Sequence, residues 1–134
     1  MKLELLEYVK DSLPKGFLPY YIYNIIVEDI EVGRLVLREG SDHERYFDGH
    51  IGYSIYEEYQ GHGYAYQACL LLGDMIDSEH LLITCDPCNI ASLKTIKKLE
   101  CEYIETKAIP TNLRKFFTKD EHEKMIYQWN IKKG

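Results

Sequence analysis

The sequence has no apolar run approaching the roughly 18 to 20 residues needed to cross a bilayer as a helix. It has no basic excess either: 16 Lys and Arg face 22 Asp and Glu, a net charge of −6. Phosphate contacts along nucleic acid need surplus positive charge, so general nucleic-acid binding is excluded. A membrane partner is not expected. One anionic small molecule needs only a local positive field and stays open. Cysteines number four in 134 residues, too few for a disulfide scaffold. Met1 to Lys10 interleaves Leu with Glu and Lys and lacks the apolar core of a signal peptide. A cytoplasmic protein with reduced thiols is therefore expected. No Gly/Ser linker or internal repeat divides the chain, so residues 1–134 read as one domain. What is abundant is apolar: 46% of residues are hydrophobic, which excludes intrinsic disorder.

Strand signals come first. Tyr20 to Val27 is β-branched and aromatic, and Ile30 to Leu37 alternates. Glu28 and Asp29 between them predict a tight antiparallel turn. His50 to Tyr56 reads as a third strand. Leu3 to Val9 is too short for its periodicity to separate strand from helix. Asp11 to Pro19, with two prolines and a glycine, is a connection, and Gly40 to Asp48 a polar loop.

The pattern then changes period. Ala65, Ala68, Cys69, Leu72, Met75 and Ile76 predict an amphipathic helix. Leu81 to Thr84 is a short buried strand. Asn89 is a good helix N-cap, and Ile90, Leu93, Ile96 and Leu99 fall on one face of the helix it opens. Tyr103 to Ala108 and Met125 to Ile131 close the chain as strands. The polar stretch from Pro110 to His122 separates them, and connections that long in small domains are commonly functional. The fold class is α+β, with a mixed, mostly antiparallel sheet flanked by helices.

Two features point to chemistry. Gln60-Gly61-His62-Gly63-Tyr64-Ala65 links a strand to a helix through two glycines. Such a turn converges backbone N–H groups, and the positive helix end adds to the field, so a phosphate can be held. An ordinary strand-to-helix turn would look similar. It is not the dinucleotide fingerprint, since Tyr66 holds the third glycine position, and no Gly-Lys-Ser/Thr follows for a Walker A loop. The second feature is Asn89-Ile90-Ala91-Ser92, where a cap for its own helix is the simple explanation.

Together, Gln60-x-x-Gly63-x-Ala65 and Asn89-x-x-Ser92 resemble the GNAT superfamily of acyl-CoA-dependent N-acyltransferases. His50-Ile-Gly-Tyr-Ser-Ile and Thr84-Cys-Asp-Pro-Cys-Asn-Ile-Ala-Ser resemble its branch of ribosomal-protein N-terminal acetyltransferases. The resemblance runs from about Asp48 to Tyr103. It implies a sheet splayed at an acetyl-CoA crevice, with backbone groups of Tyr53 and Ile55 on the pantetheine arm. It also implies that N–H groups of Gly61, His62, Gly63, Tyr64 and Ala65 hold the pyrophosphate, with Gln60 part of that turn. Asn89 and Ser92 would contact the cofactor from the other side. Lys94, Lys97 and Lys98 would favour the 3′-phosphate, or simply form a solvated face.

The implied reaction is direct attack by a primary amine, small-molecule or peptide, on the thioester of acetyl-CoA, with no metal. The oxyanion would be stabilised by a strand N–H near Tyr53. His50 is the first candidate base, because its ordinary pKa of about 6.5 suits the task. Asp48 and Glu57 are alternatives. Tyr20, Tyr21 and Tyr23 line the acceptor side or fill the sheet core. The chain departs from the family pattern in three places. Ile96 stands where many relatives carry a tyrosine that protonates the leaving thiolate. Glu100-Cys101 replaces the usual Gly-Phe helix end. The segment Val9 to Pro19 is too short for the two helices that floor the acceptor site, so the cleft is open or a second subunit of a homodimer completes it.

Two rival readings remain. Cys85-x-x-Cys88 before a helix resembles a thioredoxin-like redox pair, whose first thiol the helix N-terminus would activate. A CoA-binding domain without catalysis is the other. Zinc is disfavoured because Cys85 and Cys88 have no second pair at metal spacing.

Overall fold

A computed structural model describes residues 1–14 and 17–131. Among the described residues, seven strands and two helices follow the order β1 (Lys2–Val9), β2 (Tyr20–Val27), β3 (Ile30–Arg38), β4 (Ile51–Ile55), α1 (Tyr64–Met75), β5 (His80–Cys85), α2 (Ile90–Lys98), β6 (Glu102–Ala108) and β7 (Glu123–Asn130). Short 3-10 turns at Glu57–Tyr59 and Thr111–Phe116 punctuate the connections. The ambiguous N-terminal segment is a strand.

The strands form two sheets rather than one. One has the order β1-β2-β3-β4 and the other β5-β7-β6, every pairing antiparallel. The split between β4 and β5 is the splay that the resemblance implies. The β2–β3 hairpin closes through Glu28 and Asp29, both at positive φ (50° and 66°), the geometry of a type I′ turn. Neither residue is the Asn or Gly that such a turn favours, so the flanking ladder holds it.

Apolar side chains of both sheets and both helices share one core. Ile25, Leu35, Cys69 and Leu72 are fully enclosed, and Trp129 joins them. The stripe that the spacing predicts for α1 is buried at Ala65, Ala68, Cys69 and Leu72, whereas Met75 at the helix end is exposed and Ile76 lies just past it. In α2 the stripe is shorter than expected. Ser92 and Ile96 are buried, Leu99 caps the helix, and Ile90 is exposed because it occupies the first turn, off the core. The helix still ends in a Schellman arrangement: Cys101 N–H donates to Ile96 O and Glu100 N–H to Lys97 O. Glu100 takes the left-handed conformation (φ 57°) that glycine usually supplies, so local strain of about 1 kcal/mol is carried by the surrounding packing.

Candidate active site

The site begins with the geometry of the splay. Arg38 N–H donates to His50 O, and Tyr56 N–H donates to Val32 O. Even-numbered residues of β4 therefore pair with β3. Ile51, Tyr53 and Ile55 turn their backbone N–H and C=O groups to the opposite edge, toward β5. On β5, Ile131 N–H donates to Glu79 O, so odd residues face β7 while Leu82 and Thr84 face β4. Across this gap the two strands meet at one residue. His50 N–H donates to Leu82 O (2.8 Å), and Leu82 N–H donates to Nδ1 of the His50 ring (2.9 Å). Gly49 permits this approach: it has φ 75°, and a Cβ there would lie 3.1 Å from both Leu82 O and Thr84 N. Beyond His50 the strands part.

His50 is thus the clasp of the splay and not its base. The ring is buried (5% exposed), Nδ1 accepts from Leu82, and Nε2 lies 2.9 Å from Gly40 O, to which it donates. Both nitrogens are committed to backbone, so no lone pair is left for an amine proton.

A cleft of about 1470 Å³ opens where the strands diverge. Tyr53, Thr84 and Cys85 form its inner wall with Asn89 and Ser92 of the following turn and helix. Tyr53 reaches across the gap, its hydroxyl 2.8 Å from Ser92 Oγ. Burial pushes the Tyr53 ionisation well above the ordinary phenol range. Asn89 Oδ1 accepts Ser92 N–H (3.1 Å), so Asn89 caps α2 as its position suggests. Ile96, in the position of the family's tyrosine, is 2% exposed and belongs to the core.

The outer part of the cleft carries charge. Arg38 donates to the carbonyls of Asp48 and Gly49, and Arg45 donates to Asp48 Oδ2 (3.1 Å). Asp48 Oδ1 is buried without a hydrogen-bond partner among the described residues. Asp48 lines the cleft, and of the three candidate bases it alone does. Glu57 is exposed on the turn after β4, away from it. The two arginines that hold Asp48 carried no local motif, so the sequence reading missed them. Tyr20 lines the cleft, whereas Tyr21 stacks between Tyr8 and Tyr23 and Tyr23 is core, because alternate strand residues face opposite sides. Phe17 and Phe116 of the Thr111–Phe116 turn both line the cleft and make an edge contact, ring centroids 5.2 Å apart.

At the other end of β4 lies the glycine turn. Gln60 Nε2 donates to Ile55 O (3.0 Å), which ties the turn to the strand and occupies the carbonyl expected to face a ligand. Ile55 keeps its N–H for that role. Gly61 and Gly63 are both left-handed (φ 88° and 73°), and no heavy atom would lie within 4 Å of a Cβ on Gly61. Gly63 is the N-cap of α1, so the N–H groups of Tyr64, Ala65 and Tyr66 have no partner inside the helix. No acidic residue sits in that first turn to cancel the field. His62 stacks on Tyr64 at the surface, centroids 5.3 Å apart. Lys98 arrives from α2, its Nζ 3.5 Å from where a Gly63 Cβ would be. It separates from Lys94 and Lys97 as the cation that faces the turn.

Residues 4–102 match the acetyltransferase (GNAT) domain family. The chain belongs to that family. No curated protein matches the GNAT chain at a significant level. Among solved structures, it is similar to RimL, the ribosomal L7/L12 alpha-N-protein acetyltransferase in complex with coenzyme A. The identity is 19% and the TM-score 0.65, over 84% of this chain and 62% of that one. It is similar to RimJ of Mycobacterium smegmatis in complex with CoA-disulfide (14%, TM-score 0.64, 83% and 53%). It is also similar to MccE, the microcin C7 self immunity acetyltransferase, in complex with acetyl-CoA and AMP (18%, TM-score 0.64, 84% and 61%). These likenesses establish the fold, and the GNAT chain spans about 62% of the first of them.

The thioredoxin-like reading is overturned. The family match and the two antiparallel sheets leave no thioredoxin order of elements, and Cys85 ends a strand rather than opening the helix, which starts after Asn89. Burial pushes the Cys85 thiol up, the opposite of activation.

Proposed function

We propose that the chain is an N-acetyltransferase that moves an acetyl group from acetyl-CoA to a primary amine by direct attack. The observation that carries this reading is the unpaired edge of β4, which runs from the glycine turn into the cleft. The residues fit the cofactor. Free N–H groups of Tyr53 and Ile55 suit the amides of a pantetheine arm. The Gly61–Ala65 turn with Lys98 suits a pyrophosphate, as an N-terminal helix field and a nearby cation favour anions. The cofactor supplies an activated thioester. The chain's residues do the rest.

The Tyr53 N–H is the donor best placed to stabilise developing negative charge on the acyl oxygen. Asp48 takes over the base role assigned to His50. Oδ1 is itself buried and Arg45 holds Oδ2, so the carboxylate takes the proton of the approaching amine through a water at the cleft wall. Ser92 Oγ offers a hydrogen bond to the departing sulfur, the role that Ile96 cannot fill. The acceptor is a small amine or a peptide N-terminus.

The test is amine-dependent release of CoA thiol. With acetyl-CoA and a panel of polyamines, aromatic alkylamines and free-N-terminal peptides, at least one amine is expected to raise release well above the amine-free rate. Thiol release that no primary amine stimulates, in protein that binds acetyl-CoA, would instead describe a CoA-binding domain.

A further inference from the structure

Among the described side chains, one hydroxyl pair bridges β4 and α2 inside the crevice: Tyr53 Oη and Ser92 Oγ, 2.8 Å apart and 39 residues apart in sequence. Either hydroxyl could donate, but the phenol is the stronger acid and the better donor. If it donates to Ser92 Oγ, the serine proton is released from that contact and can point elsewhere. Ser92 is buried, and its hydroxyl hydrogen-bonds the Cys85 thiol of β5, a weak sulfur partner that the sulfur of a bound ligand would replace.

We infer that Tyr53 is a positioning residue whose phenol fixes the Ser92 hydroxyl as a donor to the sulfur of bound coenzyme A. The inference rests on the acetyl-transfer reading. It concerns a hydrogen bond and no proton transfer from Tyr53: the C–S bond breaks, its electron pair stays on sulfur, and Ser92 stabilises the resulting thiolate. The titratable groups facing the phenol are the thiols Cys69 on α1, Cys85 on β5 and Cys101 after α2. Burial holds Cys69 and Cys101 up to about 12 and raises Cys85, so these groups stay neutral and none competes as a charge. The phenol itself stays protonated for the same reason. Chains of hydroxyls polarise one another, so the donor at sulfur is stronger with Tyr53 behind it.

The readout is the affinity of coenzyme A against desulfo-coenzyme A, above and below about pH 8.5, the ordinary thiol pKa. A donor at the sulfur favours thiolate over thiol, so the parent is expected to gain about tenfold in CoA affinity across that pH, with desulfo-CoA unchanged. Tyr53→Phe keeps the ring and is expected to lose most of the gain. Ser92→Ala is expected to lose all of it, and the double variant to match Ser92→Ala, because Tyr53 acts through Ser92. With an amine acceptor, kcat should fall in Tyr53→Phe while KM for acetyl-CoA holds. A Tyr53→Phe variant with the parental gain, a double variant worse than Ser92→Ala, or a parent with no gain at all would overturn the inference while leaving CoA binding intact. Absence of any CoA binding would instead remove the underlying reading.

Discussion

His50→Ala is expected to lose about 3 kcal/mol of folding stability, a drop of roughly 10 °C in Tm for a chain of this size. The substitution deletes the acceptor for Leu82 N–H and the donor to Gly40 O. Leu82 is 1% exposed, so its N–H cannot turn to water, and a buried unpaired donor bears its full desolvation cost. Gly40 is at the surface and recovers a water partner, so the Leu82 side dominates. The lost ring also leaves a cavity at the closed end of the splay. Thermal and urea unfolding measure the effect. A base role predicts something different: a folded variant with parental Tm and a collapsed rate of amine acetylation. That outcome would return His50 to the chemistry.

Gly63→Val is expected to weaken acetyl-CoA binding by at least tenfold, about 1.4 kcal/mol. Gly63 is left-handed at φ 73°, where a β-branched residue is strongly disfavoured. The added side chain would also project toward Lys98 Nζ, 3.5 Å from the Cβ position, and displace that cation from the turn. Relief of the backbone strain would rotate the N–H groups of Tyr64 and Ala65 away from a common point. Gly61→Ala makes the graded comparison, because the space there is open and only the backbone preference is violated. Its loss of affinity should be smaller. Gly33 cannot serve as a neutral control: a Cβ on it would lie 2.3 Å from Ser54 O. Gly63→Val protein that melts cooperatively and binds acetyl-CoA as the parent does would place the pyrophosphate elsewhere.

Much of this architecture is readable from local pattern. β2 and β3 are β-branched and aromatic around a two-residue turn, and α1 shows its buried stripe at helical spacing. The glycine turn and the Asn89 cap are likewise local, so their positions follow from neighbouring residues. The features that escaped are long-range. The partners of His50 come from β5 and the loop after β3, and nothing near residue 50 announces them. Tyr53 and Ser92 meet only because α2 folds back beside β4. Arg38 and Arg45 reach Asp48 from a strand end and an irregular loop. Local rules also yield to packing. Glu100 adopts a glycine conformation because the β6–β7 ladder and the core fix where the chain must turn. β1 escaped for a simpler reason: Leu3, Leu5 and Leu6 fit neither period cleanly, and a bulge between Leu5 and Glu7 leaves both Leu5 and Leu6 exposed.

The central claim is that acetyl-CoA lies along the free edge of β4 with its phosphates on the glycine turn. An NMR titration of the amide-labelled protein with acetyl-CoA tests it most directly. The account predicts saturable shifts in the amides of Tyr53, Ile55 and Gly61 through Ala65, with smaller ones at Ser92. The amides of β1, on the far edge of the same sheet, should stay in place. Saturable binding whose shifts fall on β1 or β6 and spare Tyr53, Ile55 and the glycine turn would contradict it.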